Sequence, residues 1–179
     1  LAGITGRLLD IGGRFRVHLT SLTPIYVTPA LIELLSHDRM VKHLHLSLQS
    51  GNNEILRKMN RPYTREQYLS LAERIRRDVP DFNFTTDVIV GFPGETEDNF
   101  RDTLDLVRAA GFSHVHTFRY SPRPGTRAAE MEDTVAEKIK TGRSRRVIEL
   151  YMKQKREYYE RFNGTVSVFL SERTRRNVT

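Results

Sequence analysis

Residues 83–96, NFTTDVIVGFPGET, decide the fold of this chain. The first half is rich in β-branched residues, which favour a strand, and it ends abruptly at the turn Gly91-Phe92-Pro93-Gly94. Thr96 then stands where a helix N-cap is expected. The pattern predicts a strand, a Gly/Pro turn and a helix. Ligands of α/β proteins bind at turns that follow the carboxyl ends of parallel strands, although a tight turn without a ligand gives the same pattern.

Three other segments alternate between polar and apolar residues as strands do: residues 15–21 (FRVHLTS), 43–49 (HLHLSLQ) and 113–120 (SHVHTFRY). Helix start signals lie between them, including Thr28 before Pro29 and the capping-box pair Thr64 and Gln67. The order is therefore βαβαβαβ. This order predicts parallel strands joined by right-handed crossovers.

Each predicted strand has one apolar face and one face of polar or charged residues. Strands of an open sheet covered by helices on both sides are usually apolar on both faces, whereas a barrel can hold a polar lumen. Four strands do not close a barrel. We therefore expect an α/β fold in which residues 1–134 form the C-terminal half of a (βα) TIM-like barrel belonging to a longer protein.

The composition limits the chemistry that the chain can perform. It has no cysteine, which excludes disulfides and thiolate ligands from these 179 residues. The turns contain hydroxyls, an amide and backbone donors, without a catalytic triad or a carboxylate pair, so we expect no catalytic residue and no metal ligand here. No run of 18 apolar residues and no signal peptide are present, which predicts a cytoplasmic protein without a membrane partner.

The net charge of +7 is concentrated in residues 135–179, which hold 12 Lys and Arg against 5 Asp and Glu. We expect a long basic helix over residues 135–163, and residues 164–179 to begin a small, truncated β domain. A basic extension of a neutral body suggests a nucleic-acid partner, while the alternative is a solvated helix. The candidate phosphate-binding residues are Arg143, Arg145, Arg146, Arg173, Arg175 and Arg176.

Two histidine pairs, His43 with His45 and His114 with His116, place imidazoles on one strand face, as barrel hydrolases with a metal require. His45 lies about 13 Å before the expected ligand end at about 3.3 Å per residue, which favours structural histidines. Asp87 is the carboxylate of an otherwise apolar strand and needs a partner. Arg16, Arg119 or a ligand hydroxyl could satisfy it.

Three motifs, HLHLSLQSGNNEILRKMNRPYTREQY, DVIVGFPGETEDNF and YSPRPGT, together resemble the radical S-adenosylmethionine (SAM) methylthiotransferases over residues 14–164. The terminal strand is similar to the start of that family's TRAM domain. HLSLQSG and VHTFRYSPRPGTRAAEMED resemble the MtaB-like branch, which methylthiolates threonylcarbamoyladenosine at position 37 of tRNA. The alternatives are the isopentenyladenosine branch (MiaB) and the ribosomal-protein branch (RimO).

The resemblance implies a cofactor site for SAM. Gln49 and Ser50 match the strand that reaches the ribose and amino-acid parts. Ile89 to Gly91, with Phe92, match the strand that packs on adenine, and Tyr120 and Ser121 match the strand whose backbone contacts the adenine edge. Asp87 is added because a ligand hydroxyl would satisfy it. The chain departs from the general glycine-rich motif, with Asp87 in place of Gly and Gly94 in place of Glu; Glu95 lies one residue late.

The resemblance also implies [4Fe-4S] clusters whose cysteines lie before Leu1, so the fragment alone is expected to be inactive. tRNA is the expected partner, and the open edge of the half barrel could pair with a second copy. Two alternatives come from other classes of protein: an RNA-binding module on a barrel scaffold, and a hydrolase that uses a histidine pair.

Overall fold

The computed structural model describes residues 1–132 and 135–166. It contains one four-stranded parallel sheet in the order β1-β2-β3-β4. The strands are β1 (Val17–Leu22), β2 (Met40–Leu46), β3 (Asn83–Val90) and β4 (His114–Arg119). Sequential neighbours in one parallel sheet are the arrangement expected for consecutive strands of a barrel, and the predicted α/β half barrel is confirmed.

Helices connect the strands and cover one face of the sheet. They are α1 (Ala2–Leu9), α2 (Pro29–Leu34), α3 (Asn53–Lys58), α4 (Arg65–Asp78), α5 (Glu97–Ala110) and α6 (Glu137–Glu160), with short 3-10 turns at Pro24–Tyr26 and Arg127–Glu130. None of the helices within residues 1–132 and 135–166 has both the length and the apolar content that a membrane crossing requires.

The helix ends follow the predicted capping signals. Thr64 and Gln67 form a complete capping box at the start of α4, and Thr96 with Asn99 forms another at the start of α5. Gly111 ends α5 with a φ of 60°, in the left-handed region that glycine adopts without steric cost. These caps fix where α5 starts, directly after the turn that follows β3.

The apolar core lies between the sheet and its helices. Phe84, Val88 and Val90 of β3 have no exposed surface, and α4 and α5 pack over this face. Spacing in the sequence predicts an apolar stripe of Leu69, Ala72 and Ile75 on α4, and it is partly wrong, because Tyr68 is fully buried in place of Leu69. The Tyr68 hydroxyl donates to the Leu46 carbonyl at 2.6 Å, so this aromatic residue satisfies its polar end inside the core.

Strand β2 begins at Met40, three residues before the predicted start, and its regular pairing ends at Leu46. Gln49 continues the sheet through a single bridge to Val88. Its N–H donates to the Asp87 carbonyl at 2.8 Å, and its carbonyl accepts from the Ile89 N–H at 2.9 Å. The backbone therefore holds Gln49 at the carboxyl end of the sheet.

The basic helix is confirmed as α6, and the apolar stripe that its sequence predicts, Ile139, Val147, Leu150 and Met152, is correct at two of the four positions, since Val147 and Leu150 pack against the core. Ile139 and Met152 are exposed, whereas Val147 is buried. The buried face also contains a lysine, an arginine and a tyrosine: Lys140, Arg143 and Tyr151. Polar partners on the barrel, described below, make this burial possible.

The predicted strand over residues 165–170 and the three terminal arginines, Arg173, Arg175 and Arg176, lie outside the described residues, apart from residues 165 and 166. The domain boundaries and the TRAM-like start therefore stay predictions.

Candidate functional site

A cavity of about 850 Å³ opens at the carboxyl ends of the strands, where the sequence predicted a ligand. Six of the eight predicted cofactor-binding residues line it: Gln49, Asp87, Ile89, Phe92, Tyr120 and Ser121. Its volume falls within the usual range of small-molecule sites, about 300–1,000 Å³. Residues that are far apart in the sequence are thus brought together at one opening.

One wall of the cavity is aromatic. Phe92 and Tyr120 meet edge to face, with ring centroids 5.2 Å apart, and Ile55 packs with them. The Tyr120 hydroxyl donates to the Ala128 carbonyl at 2.7 Å, which satisfies its polar end away from the apolar wall. This wall offers a flat apolar surface of the kind on which a planar ring packs.

Gln49 and Asp87 give the cavity its polar lining. Gln49 has a φ of 67°, a left-handed conformation that a side chain larger than glycine adopts at a cost. Gln49 is 9% exposed, so its amide is nearly enclosed beside the cavity. Asp87 reaches the same cavity with a carboxylate side chain that is 27% exposed. An amide and a carboxylate together suit ligand hydroxyls, which both donate and accept hydrogen bonds.

The partner of Asp87 is His45, at 3.0 Å from Nε2 to Oδ2. The predicted arginine partners are wrong: Arg119 is 3.3 Å from Glu137, and Arg16 donates to the Asp38 carbonyl. The register explains the difference. His45 lies opposite Thr85 in the β2–β3 ladder, two residues from Asp87 on the same face.

The histidines on the polar sheet face form a hydrogen-bonded row. His43 contacts His18 at 2.6 Å and Thr85 at 3.0 Å, and His45 contacts Thr85 and Asp87, each at 3.0 Å. Both ring nitrogens of His43 and of His45 therefore have protein partners. Burial, with two neighbouring imidazoles, lowers the pKa of His43 to about 4. This arrangement supports the structural interpretation of the histidines.

Within the described ranges, no group of three or more His, Cys, Asp and Glu residues has the geometry to hold a metal ion. The chain also lacks cysteine. Its residues therefore do not fit an iron–sulfur cluster, whose ligands are thiolates.

Ser50 is predicted to contact the cofactor, but it does not line the cavity. It is fully buried, with Oγ 3.4 Å from Thr103 Oγ1 and accepting from the Asn52 N–H at 3.2 Å. Gly51 beside it fits tightly, because a Cβ there would lie 2.5 Å from the Thr103 Cα. Ser50 and Gly51 thus join the β2–α3 turn to α5.

Gly91 also lies behind the cavity wall. Its φ is 73°, and a Cβ at this position would lie 2.3 Å from Cγ of Lys140 in α6. The resemblance placed Gly91 in the strand that packs on adenine, but Gly91 does not line the cavity. The space on that side of Gly91 is filled by α6.

Glu95 braces the same turn. Its carboxylate is fully buried and accepts from the Gly91 N–H at 2.6 Å and from Arg143 at 2.8 Å. Burial raises the pKa of Glu95, while the Gly91 N–H and the Arg143 guanidinium oppose this by stabilising the charged form. Glu95 thus has a role inside the protein, despite its shift of one residue from the general motif.

The three predicted phosphate-binding arginines of α6 occupy different environments. Arg143 is 5% exposed and paired with Glu95, so it offers no surface to a nucleic acid, and its predicted role is corrected. Arg146 is exposed but lies 2.6 Å from Glu97. Arg145 is exposed on α6. Of the three, only Arg145 remains available without breaking an ion pair.

Arg61 is a site residue that the sequence analysis missed. It lines the cavity beside Gln49 and Asp87, and its Nε is buried without a hydrogen-bond partner. A buried, unpaired guanidinium N–H is costly. The terminal nitrogens of Arg61 have no hydrogen bond or ion pair with any described residue, so the guanidinium can bind an anion in the cavity. The sequence feature that could have identified Arg61 is its position at the end of the basic run RKMNR, which follows the turn that contains Gln49.

Comparison with known proteins agrees with this geometry. The family model described as the Radical SAM superfamily matches residues 4–107. The chain resembles coproporphyrinogen III oxidase (HemN) from Escherichia coli, described as a radical SAM enzyme, with a TM-score of 0.69 over 86% of this chain and 37% of that one. The identity is 19%, so this likeness concerns the fold alone.

Curated relatives are named tRNA-2-methylthio-N(6)-dimethylallyladenosine synthase. The protein from Carboxydothermus hydrogenoformans is 50% identical over 141 residues, which cover 78% of this chain and 32% of the relative. That from Pelotomaculum thermopropionicum is 42% identical over 172 residues, covering 96% and 38%. This chain thus spans about a third of the length of these relatives. The match over more than half of its residues, on a half barrel with a cavity at the strand ends, shows that the chain belongs to the radical SAM superfamily.

Proposed function

We propose that this chain is the SAM-binding half barrel of a longer tRNA methylthiotransferase. The observation that carries the proposal is the cavity at the carboxyl ends of the strands, which combines an aromatic wall with Gln49, Asp87 and Arg61. The names of the relatives supply the reaction class. In this family the cofactor performs the difficult chemistry, and the protein binds and orients it.

The residues fit SAM in chemical terms. The Arg61 guanidinium, which has no ion pair with any described residue, suits the carboxylate of the methionine part, because guanidinium and carboxylate form strong charge-assisted hydrogen bonds. Asp87 and Gln49 suit the ribose hydroxyls. Phe92, with Tyr120, suits the adenine ring. When bound near a reducing iron–sulfur cluster, SAM supplies radical chemistry at this opening.

The clusters themselves need ligands from outside these 179 residues, because the chain has no cysteine. We therefore expect the isolated chain to form no product. The remaining predictions are kept as parts of the proposal: domain limits at residues 134 and 163, a TRAM-like β domain, a cytoplasmic location and a possible dimer through the open sheet edge.

The relatives favour a dimethylallyl-type adenosine as the substrate, in place of the threonylcarbamoyladenosine expected from the HLSLQSG motif. Both of the curated relatives named above are tRNA-2-methylthio-N(6)-dimethylallyladenosine synthases. The proposed reaction is the addition of a methylthio group to this base in tRNA.

The test uses the full-length protein, purified without oxygen and with its clusters restored. It is incubated with SAM, a reductant, a sulfur source and tRNA that carries either dimethylallyladenosine or threonylcarbamoyladenosine. Nucleosides are then analysed by mass spectrometry. We expect the methylthio product from the first tRNA, and none when the 179-residue chain replaces the full-length protein.

Two results would change the proposal. Product from the threonylcarbamoyladenosine tRNA alone restores the original branch assignment. Absence of product from both, with SAM bound and clusters intact, removes tRNA methylthiolation as the function.

A further inference from the structure

The opening of the cavity is strongly basic. Six of the residues that line it are cationic: Arg57, Lys58, Arg61, Arg119, Arg123 and Arg127. Among the described residues that line the cavity, Asp87 is the one carboxylate. Like charges gathered around a cleft raise the local concentration of anions, and they repel one another until an anion binds.

These cations differ in whether the protein already neutralises them. Lys58 lies 2.8 Å from Glu54, and Arg119 lies 3.3 Å from Glu137. Three others, Arg57, Arg123 and Arg127, are exposed and have no side-chain hydrogen bond or ion pair with any described residue. We call these three the rim arginines.

The rim arginines come from two separate parts of the chain. Arg57 belongs to α3, whereas Arg123 and Arg127 belong to the segment between β4 and α6. That segment is held in place, because Thr126 caps its 3-10 turn and the Ala128 carbonyl accepts from Tyr120. Two anchored elements thus present guanidinium groups around one opening.

Three cations, two in α6 and one at its C-terminal end, are already paired with the barrel. Arg143 pairs with Glu95, Arg146 with Glu97, and Arg161 with Asp81 at 3.1 Å. Their charges hold the helix to the barrel. Other cations of α6, such as Arg145 and Arg156, are exposed and have no ion pair with the barrel, so net charge alone does not decide between α6 and the cavity. The unpaired arginines at the cavity surround the opening that a ligand would enter.

We propose that the rim arginines bind the RNA phosphates on either side of the nucleotide whose base enters the cavity. This inference rests on the proposed function, since it requires an RNA substrate. Single-stranded loops of RNA are recognised with their bases turned out of the stack, which leaves the flanking phosphates at the mouth of the pocket. Guanidinium groups match phosphate oxygens with paired hydrogen bonds.

The test measures RNA binding to the full-length protein with clusters and SAM, using an anticodon stem-loop that carries dimethylallyladenosine. Fluorescence anisotropy gives the affinity over a range of salt concentrations. The variant combines Arg57→Gln, Arg123→Gln and Arg127→Gln. Matched controls are Arg145→Gln, which removes an exposed arginine from α6, and a triple lysine variant that keeps the charges.

Three lost phosphate contacts should flatten the salt slope by about two units, at about 0.7 per contact for single strands. The ratio of the RNA affinity of the wild-type protein to that of the glutamine variant should then decrease about fifteen- to twenty-fold between about 50 mM and about 200 mM salt. The lysine variant should recover most of the slope, and Arg145→Gln should change the slope by less than the triple variant does. SAM affinity without RNA should remain that of the wild type.

An unchanged slope in the glutamine variant, with wild-type RNA binding and product formation intact, overturns the inference and leaves the proposed function standing. An equal loss of SAM affinity without RNA also overturns it, because the arginines would then hold the cofactor. If the wild-type protein does not bind the stem-loop, the proposed function fails and the inference fails with it.

Discussion

Arg61 lines the cavity, and its side chain has no hydrogen bond or ion pair with any described residue. Replacement of Arg61 by Met keeps the length of the side chain and removes the donor. We expect SAM to bind about ten- to a hundred-fold more weakly, since a hydrogen bond to a charged group contributes about 1.5–3 kcal/mol. Isothermal titration calorimetry of the full-length protein measures this loss. Arg57→Met is the control, and an equal effect of both changes would remove the special role of Arg61.

Gln49 makes two backbone hydrogen bonds to β3, which hold the residue at the edge of the cavity. Gln49→Ala should weaken SAM binding by about 1–3 kcal/mol, because a polar group of the ligand loses its partner in a nearly enclosed site. The same calorimetry applies. If the affinity is unchanged while thermal stability is kept, Gln49 is not part of the cofactor site.

His43 makes the stability of the fold depend on pH. The unfolded chain takes up a proton at this residue near its ordinary pKa of about 6.5, whereas the folded chain does so only at about 4. Lowering the pH through this window therefore favours the unfolded state, by on the order of 2 kcal/mol at about pH 4.5.

His43→Gln places an amide near Thr85 in place of the imidazole, and this side chain does not take up a proton in the pH range of interest. Its free energy of unfolding, measured by urea denaturation, should fall less than that of the wild type between about pH 7 and about pH 4.5. His37→Gln changes an exposed histidine and serves as the control. Parallel pH profiles for the His43 variant and the wild type would show that His43 does not carry the effect.

At the level of elements, α6 is joined to the cavity turn by the buried pair of Arg143 and Glu95. Arg143→Met leaves the Glu95 carboxylate buried without its cation, and we expect a loss of about 3–5 kcal/mol in the free energy of unfolding. Because Glu95 also accepts from the Gly91 N–H, SAM affinity should fall as well. Urea denaturation and calorimetry measure the two effects.

The control for this prediction is Arg146→Met, which breaks an exposed pair with Glu97 and should cost about 1 kcal/mol or less. The double variant of Arg143→Met with Glu95→Gln should cost less than the sum of the single changes, since no charge is then left buried. Additive losses would mean that the two side chains act independently.

The sequence predicted elements whose signals are local. Strand β3 and helix α5 were predicted closely, because β-branched residues, the Thr96 cap and the Gly111 stop all lie inside or next to the elements that they define. The four-stranded parallel order also followed from the alternation of patterns. Local rules of this kind need no knowledge of distant contacts.

Features that depend on distant partners could not be predicted. The buried side of α6 contains Arg143, whose partner Glu95 is 48 residues away, so hydrophobic periodicity could not identify the polar part of the buried face. Gly91 was assigned to the cavity because the sequence does not reveal that Lys140 fills the space behind it. Gln49 and Asp87 were predicted to face the cavity because strand residues alternate between the two faces. Arg61 follows helix α3, where no alternation of this kind indicates its direction.

At the scale of the whole molecule, the RNA contacts proposed here fall in two regions, the rim arginines and the basic C-terminal residues. The terminal arginines, which lie outside the described residues, remain a prediction. Replacing Arg173, Arg175 and Arg176 by Ala in the full-length protein should flatten the salt slope for whole tRNA by about two units, at about 0.7–0.9 per contact. Binding of a short stem-loop should be affected less, because residues 173–176 are expected to contact tRNA phosphates away from the target base.

Filter binding of whole tRNA and of the stem-loop over a salt series checks this expectation. The rim variant supplies the contrast, since it should weaken the binding of both RNAs. Wild-type affinity and slope for whole tRNA in the tail variant would make residues 173–176 a solvated surface without a role in binding.

The long span between Glu95 and Arg143 also has a consequence for synthesis on the ribosome. At about 5–20 residues per second, the carboxylate that braces the turn is made several seconds before the arginine that neutralises it. Strand β3 and α5 can form in that interval, but the turn beside the cavity still lacks its cation. The nascent chain therefore acquires its half-barrel first and a finished pocket only when α6 has emerged.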